Sequence, residues 1–438
     1  MSSDFMLQVG EQASRPNPWP LYAQLRQDRV VRLEPGSYAV GRYDDVLALL
    51  HDPRVSSDPH TLTNPGDRLV ADTLPFINQD PPGHDRMRRE VTRFFGPPDS
   101  PGLVTGQEPE IDRQIGTLID AFPECGEVDL VDDFAYPLPV AVICRLLGVP
   151  PADEPQFQGW AEAAVGGIDA AHLEDGEQAA KRRQEGLLAL FGYLGELVKK
   201  HRGHPDGSML SGLANDHGPD AMSDTELQVT GVLLLIAGHE TTVNLITNGM
   251  LTLLRNPGAL ARLRREPAWV VPVVEELLRI EPPVQYLPNR AALADITIAG
   301  TTIPQGSKLN LLLAAANRDP GRFTDPDRFD PDRPDNQHLG FGSGLHYCFG
   351  APLARLEVHQ ALAAAGQPAR QPQADRRPAA LQAQPGAAWP DPSPGRLRRA
   401  PDPLAGQPHP MITGPVPSPA STERITDDQP ARPNLAPG

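Results

Sequence analysis

Cysteine is scarce in this sequence, since only Cys125, Cys144 and Cys348 occur among its 438 residues. An odd and sparse set excludes a disulfide framework and fits a protein of a reducing cytosol. The first twenty residues contain no apolar signal region, and the longest apolar run, residues 231–238, is far too short to cross a bilayer. These absences predict a cytoplasmic protein that is bound to no membrane.

Positive charge is also in short supply, because 39 Lys and Arg face 56 Asp and Glu and leave a formal net charge of −17. This balance argues against nucleic acid and against an anionic membrane surface as general partners. Hydrophobic residues still make up 39% of the chain, so most of it is expected to be globular. There is no internal repeat and no dinucleotide or flavin fingerprint.

Helical periodicity dominates residues 17–365. The strongest helices are predicted at residues 128–147, 179–201, 224–255 and 268–280, and shorter ones at residues 19–27, 43–51 and 351–365. Strand signals are few, and they predict two hairpins, formed by residues 29–33 with 37–41 and by residues 296–300 with 301–303. The pattern predicts a mainly α fold with a minor β-sheet.

The composition changes abruptly after Gly366. Residues 367–438 hold 17 of the 51 prolines and almost no aromatic or β-branched aliphatic residues. Such a segment cannot bury enough apolar area to offset its chain entropy, so we expect a disordered tail rich in Pro, Ala and Arg. Its origin is either a natural extension or a shift of the reading frame near residues 363–367, and the abruptness favours the shift.

The most informative ten residues are 341–350, with the sequence FGSGLHYCFG. Cys348 lies between a glycine-rich turn and a predicted helix, whose N–H groups and positive end are expected to lower the pKa of its thiol. A lone cysteine near glycines is more often a buried structural thiol. The whole stretch, however, resembles the haem-binding loop of the cytochrome P450 family, F-G-x-G-x-H-x-C-x-G. This resemblance implies that Cys348 is the axial ligand of a haem iron.

A second motif is AGHETT, at residues 237–242 of the long apolar helix. Gly238 costs about 1 kcal/mol relative to alanine in a helix interior, and its missing side chain would open a groove for a ligand. Glu240 and Thr241 have an ordinary alternative as a solvent-facing carboxylate and a threonine bonded back to its helix. The motif resembles the oxygen-binding segment of the same family, A-G-x-[DE]-T-[TS]. It implies that Thr241 holds oxygen and that Glu240, in place of the more frequent Asp, relays protons.

A third motif pairs Glu276 with Arg279, three residues apart on one helix face, where such pairs are usually weak surface salt bridges. Apolar neighbours make burial plausible, and the pair resembles the structural E-x-x-R pair of the family. The third member of that cluster lies in a P-[DE]-R-F element, which residues 326–329 match, so Arg328 is the candidate. Glu275 is an alternative carboxylate with a less suitable spacing.

A fourth motif is DPPGHDRMR, at residues 80–88, in which His84 and Arg88 are neighbours on a helix face. A basic helix face is normally solvated. Here it resembles a family segment whose His and Arg bind a haem propionate. Arg290 and His346 match two further propionate-binding positions, and four basic groups suit two carboxylates.

The resemblance implies a cytochrome P450 fold over residues 1–366, with haem b buried between the long central helix and the helix after Cys348. It implies monooxygenation of a lipophilic small molecule by O2, with electrons from a ferredoxin and a ferredoxin reductase. Arg86, Arg89 and Arg93 would form a basic docking patch, or merely a solvated helix face. Two other functions remain open: a peroxygenase or isomerase that needs no redox partner, and an inactive relative because of the aberrant tail.

Overall fold

Helices make up most of the part of the chain that the computed structural model describes, namely residues 17–62, 73–95, 104, 106–123, 128–166 and 176–366. The helices in chain order are α1 Trp19–Asp28, α2 Tyr43–Leu50, α3 Gly83–Phe95, α4 Glu108–Asp120, α5 Pro137–Leu147, α6 Glu154–Gly166, α7 Gly176–His201, α8 Met209–Ala214, α9 Asp224–Arg255, α10 Pro257–Arg265, α11 Val270–Ile280, α12 Leu313–Ala316 and α13 Ala351–Gly366. The predicted mainly α fold is confirmed. Cys125 and the predicted disordered tail, residues 367–438, lie outside the described residues.

The minor sheet joins strands from the N-terminal part of the described chain to strands that lie more than two hundred residues later. Its strands are β1 Val30–Glu34, β2 Ser37–Val40, β3 Val55–Ser56, β4 Leu287–Ala292 and β7 Lys308–Leu311, and a separate hairpin consists of β5 Ile296–Ile298 and β6 Thr301–Ile303. The five-stranded sheet has the order β1-β2-β7-β4-β3, with β2 and β7 parallel and the other neighbours antiparallel. Both hairpins that the sequence predicts are therefore present.

The apolar core follows from the alternation of side chains along the strands and from the packing of the helices. Alternate residues of β2 point to opposite faces, so Tyr38 and Val40 join one apolar cluster while Ala39 joins another. A larger cluster is built by the helices around α9. The start of α9 is fixed by a capping box, in which Ser223 and Glu226 satisfy each other's backbone N–H groups.

One predicted helix, residues 128–147, is divided in the structure. A single π-type turn covers Val131–Ala135, and α5 begins only at Pro137. Proline has no backbone N–H and suits the first turn of a helix rather than its interior. The apolar periodicity is continuous across this point, which is why it predicts one helix.

Helix α9 is long and apolar enough to cross a membrane by length and composition alone. It packs against α5, α7 and α13, and residues along its whole length, such as Leu227, Leu235 and Leu253, are fully buried. This packing identifies α9 as the central core helix of a globular fold.

Candidate active site around Cys348

The loop that precedes α13 holds Cys348 in a defined position. Gly342 and Gly344 both have φ +68, a left-handed conformation that favours glycine. A Cβ on Gly344 would lie 2.4 Å from the carbonyl oxygen of Leu50 at the end of α2. The Cys348 N–H then donates to the Phe341 carbonyl at 2.9 Å. The glycines of the motif are therefore required by backbone turns and by close contact with α2.

Two opposing effects act on the pKa of the Cys348 thiol. Burial raises the pKa of the Cys348 thiol, and this effect outweighs the N–H groups of Gly350 and Ala351 and the Arg88 guanidinium, which lower it. The predicted effect of the N–H groups is therefore present, but desolvation of the thiolate is larger and leaves the pKa of the metal-free thiol raised. A cation bound at the sulfur would reverse the balance, since a coordinating thiol is deprotonated.

The structure brings the four predicted basic residues together beside this loop. The rings of His84 and His346 lie 4.5 Å apart. The guanidinium of Arg88 donates to the carbonyls of Leu345 and Tyr347 at 3.2 and 2.8 Å, which ties α3 to the loop. Arg290, on β4, is 8% exposed.

The charges of this basic cluster are poorly compensated within the described chain. Burial lowers the pKa of His346 to about 3, and Arg290, His84 and Arg88 add to the effect. Burial also lowers the pKa of Arg290, with Asp80 as the one opposing charge. His84 bonds to Asp85 through Nδ1 at 2.8 Å, but its buried Nε2 has no hydrogen-bond partner among the described residues. Two arginines and an unpartnered ring nitrogen, which donates when the His84 ring is protonated, would be stabilised by an anionic ligand.

The AGHETT motif forms an unbroken part of α9. Thr241 Oγ1 donates to the Ala237 carbonyl at 2.7 Å, which is the ordinary back-bonded arrangement. The half-buried Glu240 accepts a hydrogen bond from Asn244 at 3.3 Å. A Cβ on Gly238 would make only ordinary contact with Ile143, at 3.6 Å, so protein packing on that side does not require glycine.

The buried carboxylate beneath the site is Glu276, as predicted, but its third partner is not Arg328. Glu276 and Arg279 are both 0% exposed and form two hydrogen bonds of 2.8 Å. The second cation is Arg333, whose side chain is 6% exposed and lies 3.6 Å from Glu276. Arg328 contributes only its carbonyl, which accepts from Arg279 at 3.1 Å. The prediction of Arg328 is therefore wrong.

The alternative carboxylate, Glu275, belongs to a different cluster. It accepts two hydrogen bonds from Arg355 on α13 and lies 3.1 Å from His338. These contacts lower its pKa to about 2 against the effect of burial. Glu275 thus connects α11 to the helix that follows Cys348.

The predicted basic patch on α3 is neutralised by acidic partners. Arg86 pairs with Glu226, Arg89 with Asp220 at 3.0 Å, and Arg93 with Asp216 at 2.5 Å. These arginines attach α3 to the segment before α9 and to the first turn of α9. They do not form a free basic surface for a redox protein.

The sequence motifs did not predict a role for His239 or Tyr136. His239 is 1% exposed on α9, and its ring stands at 89° to that of Tyr136 with centroids 4.4 Å apart. The sequence signal was present, because a histidine inside an apolar helix needs partners for two ring nitrogens.

These features define the class of protein. The cysteine loop ends at the N-terminus of α13, which packs against the long core helix α9, and four basic groups cluster beside it. This arrangement suits a planar metal cofactor with anionic side groups. The unpartnered Nε2 of His84, the guanidiniums of Arg88 and Arg290 and the neutral ring of His346 fit the two propionates of haem. The fold and the site are those of a haem-thiolate protein.

Comparison with known proteins gives the family. The cytochrome P450 family model matches residues 190–365. The vitamin D(3) 25-hydroxylase of Pseudonocardia autotrophica is 40% identical over 355 residues, which cover 79% of this chain and 85% of that protein. The chain belongs to the cytochrome P450 family.

Solved structures of similar proteins lead to the same family. The ligand-free CYP164A2 of Mycobacterium smegmatis has 40% identity and a TM-score of 0.75, covering 83% of this chain and 92% of that chain. The myxobacterial CYP267B1 in complex with myristic acid has 37% identity and a TM-score of 0.73, covering 81% and 90%. The protein is a monooxygenase whose cofactor is haem b. When bound, thiolate-ligated haem activates O2 and favours cleavage of its O–O bond.

Proposed function

We propose that this protein hydroxylates a lipophilic small molecule, with Cys348 as the axial haem ligand and His84, Arg88, Arg290 and His346 as propionate ligands. The observation that carries the proposal is the convergence of these residues, from α3, β4 and the cysteine loop, on one buried cluster. Four basic groups without sufficient counter-charge are costly unless an anion joins them.

The carbon monoxide difference spectrum of the reduced protein tests this ligand. Cys348→Ser removes an anionic soft donor, so the red-shifted Soret band should disappear. Cys144→Ala is the matched control, because Cys144 is a buried core thiol whose pKa burial raises to about 12. Retention of the red-shifted band in Cys348→Ser would refute the assignment, as would its loss in well-folded Cys144→Ala.

Glu240 and Thr241 carry the proton chemistry in this proposal. The reaction RH + O2 + 2e⁻ + 2H⁺ → ROH + H2O consumes two protons, which must reach the oxygen atom that leaves as water. Thr241 orients this delivery from α9 with its hydroxyl, and Glu240, one residue away and half-buried, supplies protons through its carboxyl group. While the Thr241 hydroxyl donates to the Ala237 carbonyl, it can still accept a hydrogen bond, and it becomes a donor to oxygen when that bond opens.

Electrons come from a ferredoxin and its reductase in the cytoplasm. The family depends on redox partners, and this chain contains no flavin or dinucleotide fingerprint. Reconstitution tests the dependence: NAD(P)H with ferredoxin and reductase should support hydroxylation, whereas hydrogen peroxide alone should not. Efficient turnover with peroxide alone would favour a partner-independent peroxygenase.

The substrate class follows from the names of relatives. One relative hydroxylates vitamin D(3), and one structural neighbour holds myristic acid, both of which are lipophilic. Titration of the haem-loaded protein with myristic acid should shift the Soret band as the ligand binds beside the haem. A panel of hydrophilic compounds of similar size should give no shift, and a shift with these alone would contradict a lipophilic substrate.

A further inference from the structure

Three polar atoms without partners meet where α9 crosses the beginning of α5. Both ring nitrogens of the buried His239 and the buried hydroxyl of Tyr136 make no hydrogen bond to any described residue. The two rings touch edge to face, with centroids 4.4 Å apart. Buried polar groups nearly always have partners, and a site with several free ones usually contains ordered water.

Two acidic residues act on the Tyr136 hydroxyl. Glu162 and Gln158, one turn apart on α6, approach the Tyr136 hydroxyl closely enough to influence its pKa, although neither makes a well-formed hydrogen bond to it. Glu240, the residue after His239, also acts on the pKa of Tyr136 through its charge. Polar groups that approach without bonding directly are commonly bridged by water.

The ends of this arrangement differ in their access to solvent. Glu162 is exposed, whereas Glu240 is half-buried in the middle of α9. His239 is buried and Tyr136 is half-buried. Since both carboxyl groups act on Tyr136, and Tyr136 touches His239, we call these four residues a line that connects the protein surface with the carboxyl group that supplies protons in the proposed reaction.

We propose that His239 and Tyr136 are positioning residues that hold ordered water between Glu162 and Glu240, and that this water conducts protons from the surface to the oxygen site. The inference rests on the proposed function. For each proton that Glu240 gives up, one enters at Glu162 and one passes along each hydrogen bond, so no group between them changes charge.

The electrostatics of the line suit such conduction. Burial lowers the pKa of His239 to about 4, and burial, followed by Glu162, raises the pKa of Tyr136. Both residues are therefore neutral at neutral pH, and each can donate and accept a hydrogen bond. Among the described residues, Glu162, Gln158 and Glu240 are the polar groups shown to act on this pair.

A high-resolution crystal structure of the haem-loaded protein is the first test. It should show water bound to a ring nitrogen of His239 and to the Tyr136 hydroxyl, and Tyr136→Phe should lose that water with the His239 ring unmoved. If His239 and Tyr136 instead bond directly to protein groups, or if the space is dry, the proposal is wrong. This readout does not depend on catalysis.

The second test is oxygen uptake driven by NAD(P)H through a ferredoxin and its reductase, in H2O and D2O. Uptake consumes protons whether water or hydrogen peroxide is the product, so it requires no known substrate. Tyr136→Phe should slow uptake about tenfold, at the low end of the range for proton-transfer groups, and should enlarge the solvent isotope effect. Tyr193→Phe is the control, because the Tyr193 hydroxyl bonds to Asp153 at 2.8 Å, apart from this line.

The outcomes separate this inference from the proposed function. The carbon monoxide band should be intact in the wild type, in Tyr136→Phe and in Tyr193→Phe, and its absence from the wild type would sink the proposed function instead. With the band present, equal uptake and equal isotope effects in the two variants would overturn the proton path. Glu162→Gln should reproduce the effect of Tyr136→Phe at the other end of the line.

Discussion

Replacing Arg333 by alanine should destabilise the protein much more than replacing Arg328, although Arg328 is the residue that the sequence motif favours. The Arg333 side chain lies 3.6 Å from Glu276. It also donates to the carbonyls of Thr324, Asp325 and Arg328, at 2.5, 3.3 and 3.3 Å. Its guanidinium stacks over the ring of Phe323 at 6.0 Å. These contacts join the segment before the cysteine loop to the buried carboxylate on α11.

The magnitude follows from what each variant leaves behind. In Arg333→Ala, Glu276 keeps both hydrogen bonds to Arg279, so the full 3–5 kcal/mol of a broken buried pair does not apply. One short and two long charge-assisted bonds to carbonyls are lost together with part of the compensation of Glu276, which sums to about 3 kcal/mol. Arg328→Ala removes an exposed side chain and keeps the carbonyl, so its cost should stay within about 0.5 kcal/mol.

Urea unfolding followed by tryptophan fluorescence measures both costs, and the haem Soret band reports whether the cysteine loop unfolds with the rest. The midpoint of Arg333→Ala should fall clearly below that of the wild type, while Arg328→Ala should overlap it. If Arg328→Ala is as destabilising as Arg333→Ala, the assignment of the buried cluster is refuted.

Three further predictions concern the site and its supports. Thr241→Ala should keep the haem spectrum but divert electrons to hydrogen peroxide; unchanged product per NAD(P)H would show that Thr241 is only a helix residue. Glu357 has no partner for its buried Oε2 among the described residues, and burial raises its pKa to about 8. In the unfolded chain the Glu357 carboxyl group loses its proton near pH 4.5, so the free energy of unfolding should fall as pH rises from 4.5 to 8. Glu357→Gln should remove up to about 5 kcal/mol of that loss. If the melting temperatures of wild type and Glu357→Gln run parallel across this pH range, the prediction is wrong. Gly344→Ala combines φ +68 with a 2.4 Å contact to the Leu50 carbonyl, so it should lower stability by about 3 kcal/mol and weaken haem retention. Gly36→Ala, at φ +78 with nothing within 4 Å, is the control and should lower stability by about 1 kcal/mol. Equal melting temperatures of the two variants would contradict this reasoning.

Sequence patterns predicted the parts of the fold that depend on local chemistry. The bounds of α9 agree with the predicted residues 224–255, because a Ser–x–x–Glu capping box marks the start of a strongly apolar stretch. The β1–β2 hairpin follows from Pro35 and Gly36, and Gly36 indeed has φ +78. The order of the sheet could not be read this way, since β7 pairs in parallel with β2, which lies near the other end of the chain.

The errors at the site have a common physical origin. Arg328 and Arg333 are both arginines in a polar segment, and only the path of the chain decides which side chain is buried. Likewise, the charges of α3 are evident in the sequence, but their acidic partners, such as Asp216 and Asp220, lie more than a hundred residues later. The partnerless nitrogens of His239 became visible only when α5 was placed against α9.

The central strand of the sheet has a consequence for how the protein is made. Strand β7 lies between β2 and β4, and the cysteine loop is joined to α2 by a hydrogen bond between His51 and Ser343, residues 292 positions apart. A ribosome that adds about 5–20 residues per second therefore releases the β1–β2 hairpin many seconds before its neighbour strand exists. The N-terminal segment must wait with an open strand edge, and haem capture becomes one of the last events of biogenesis.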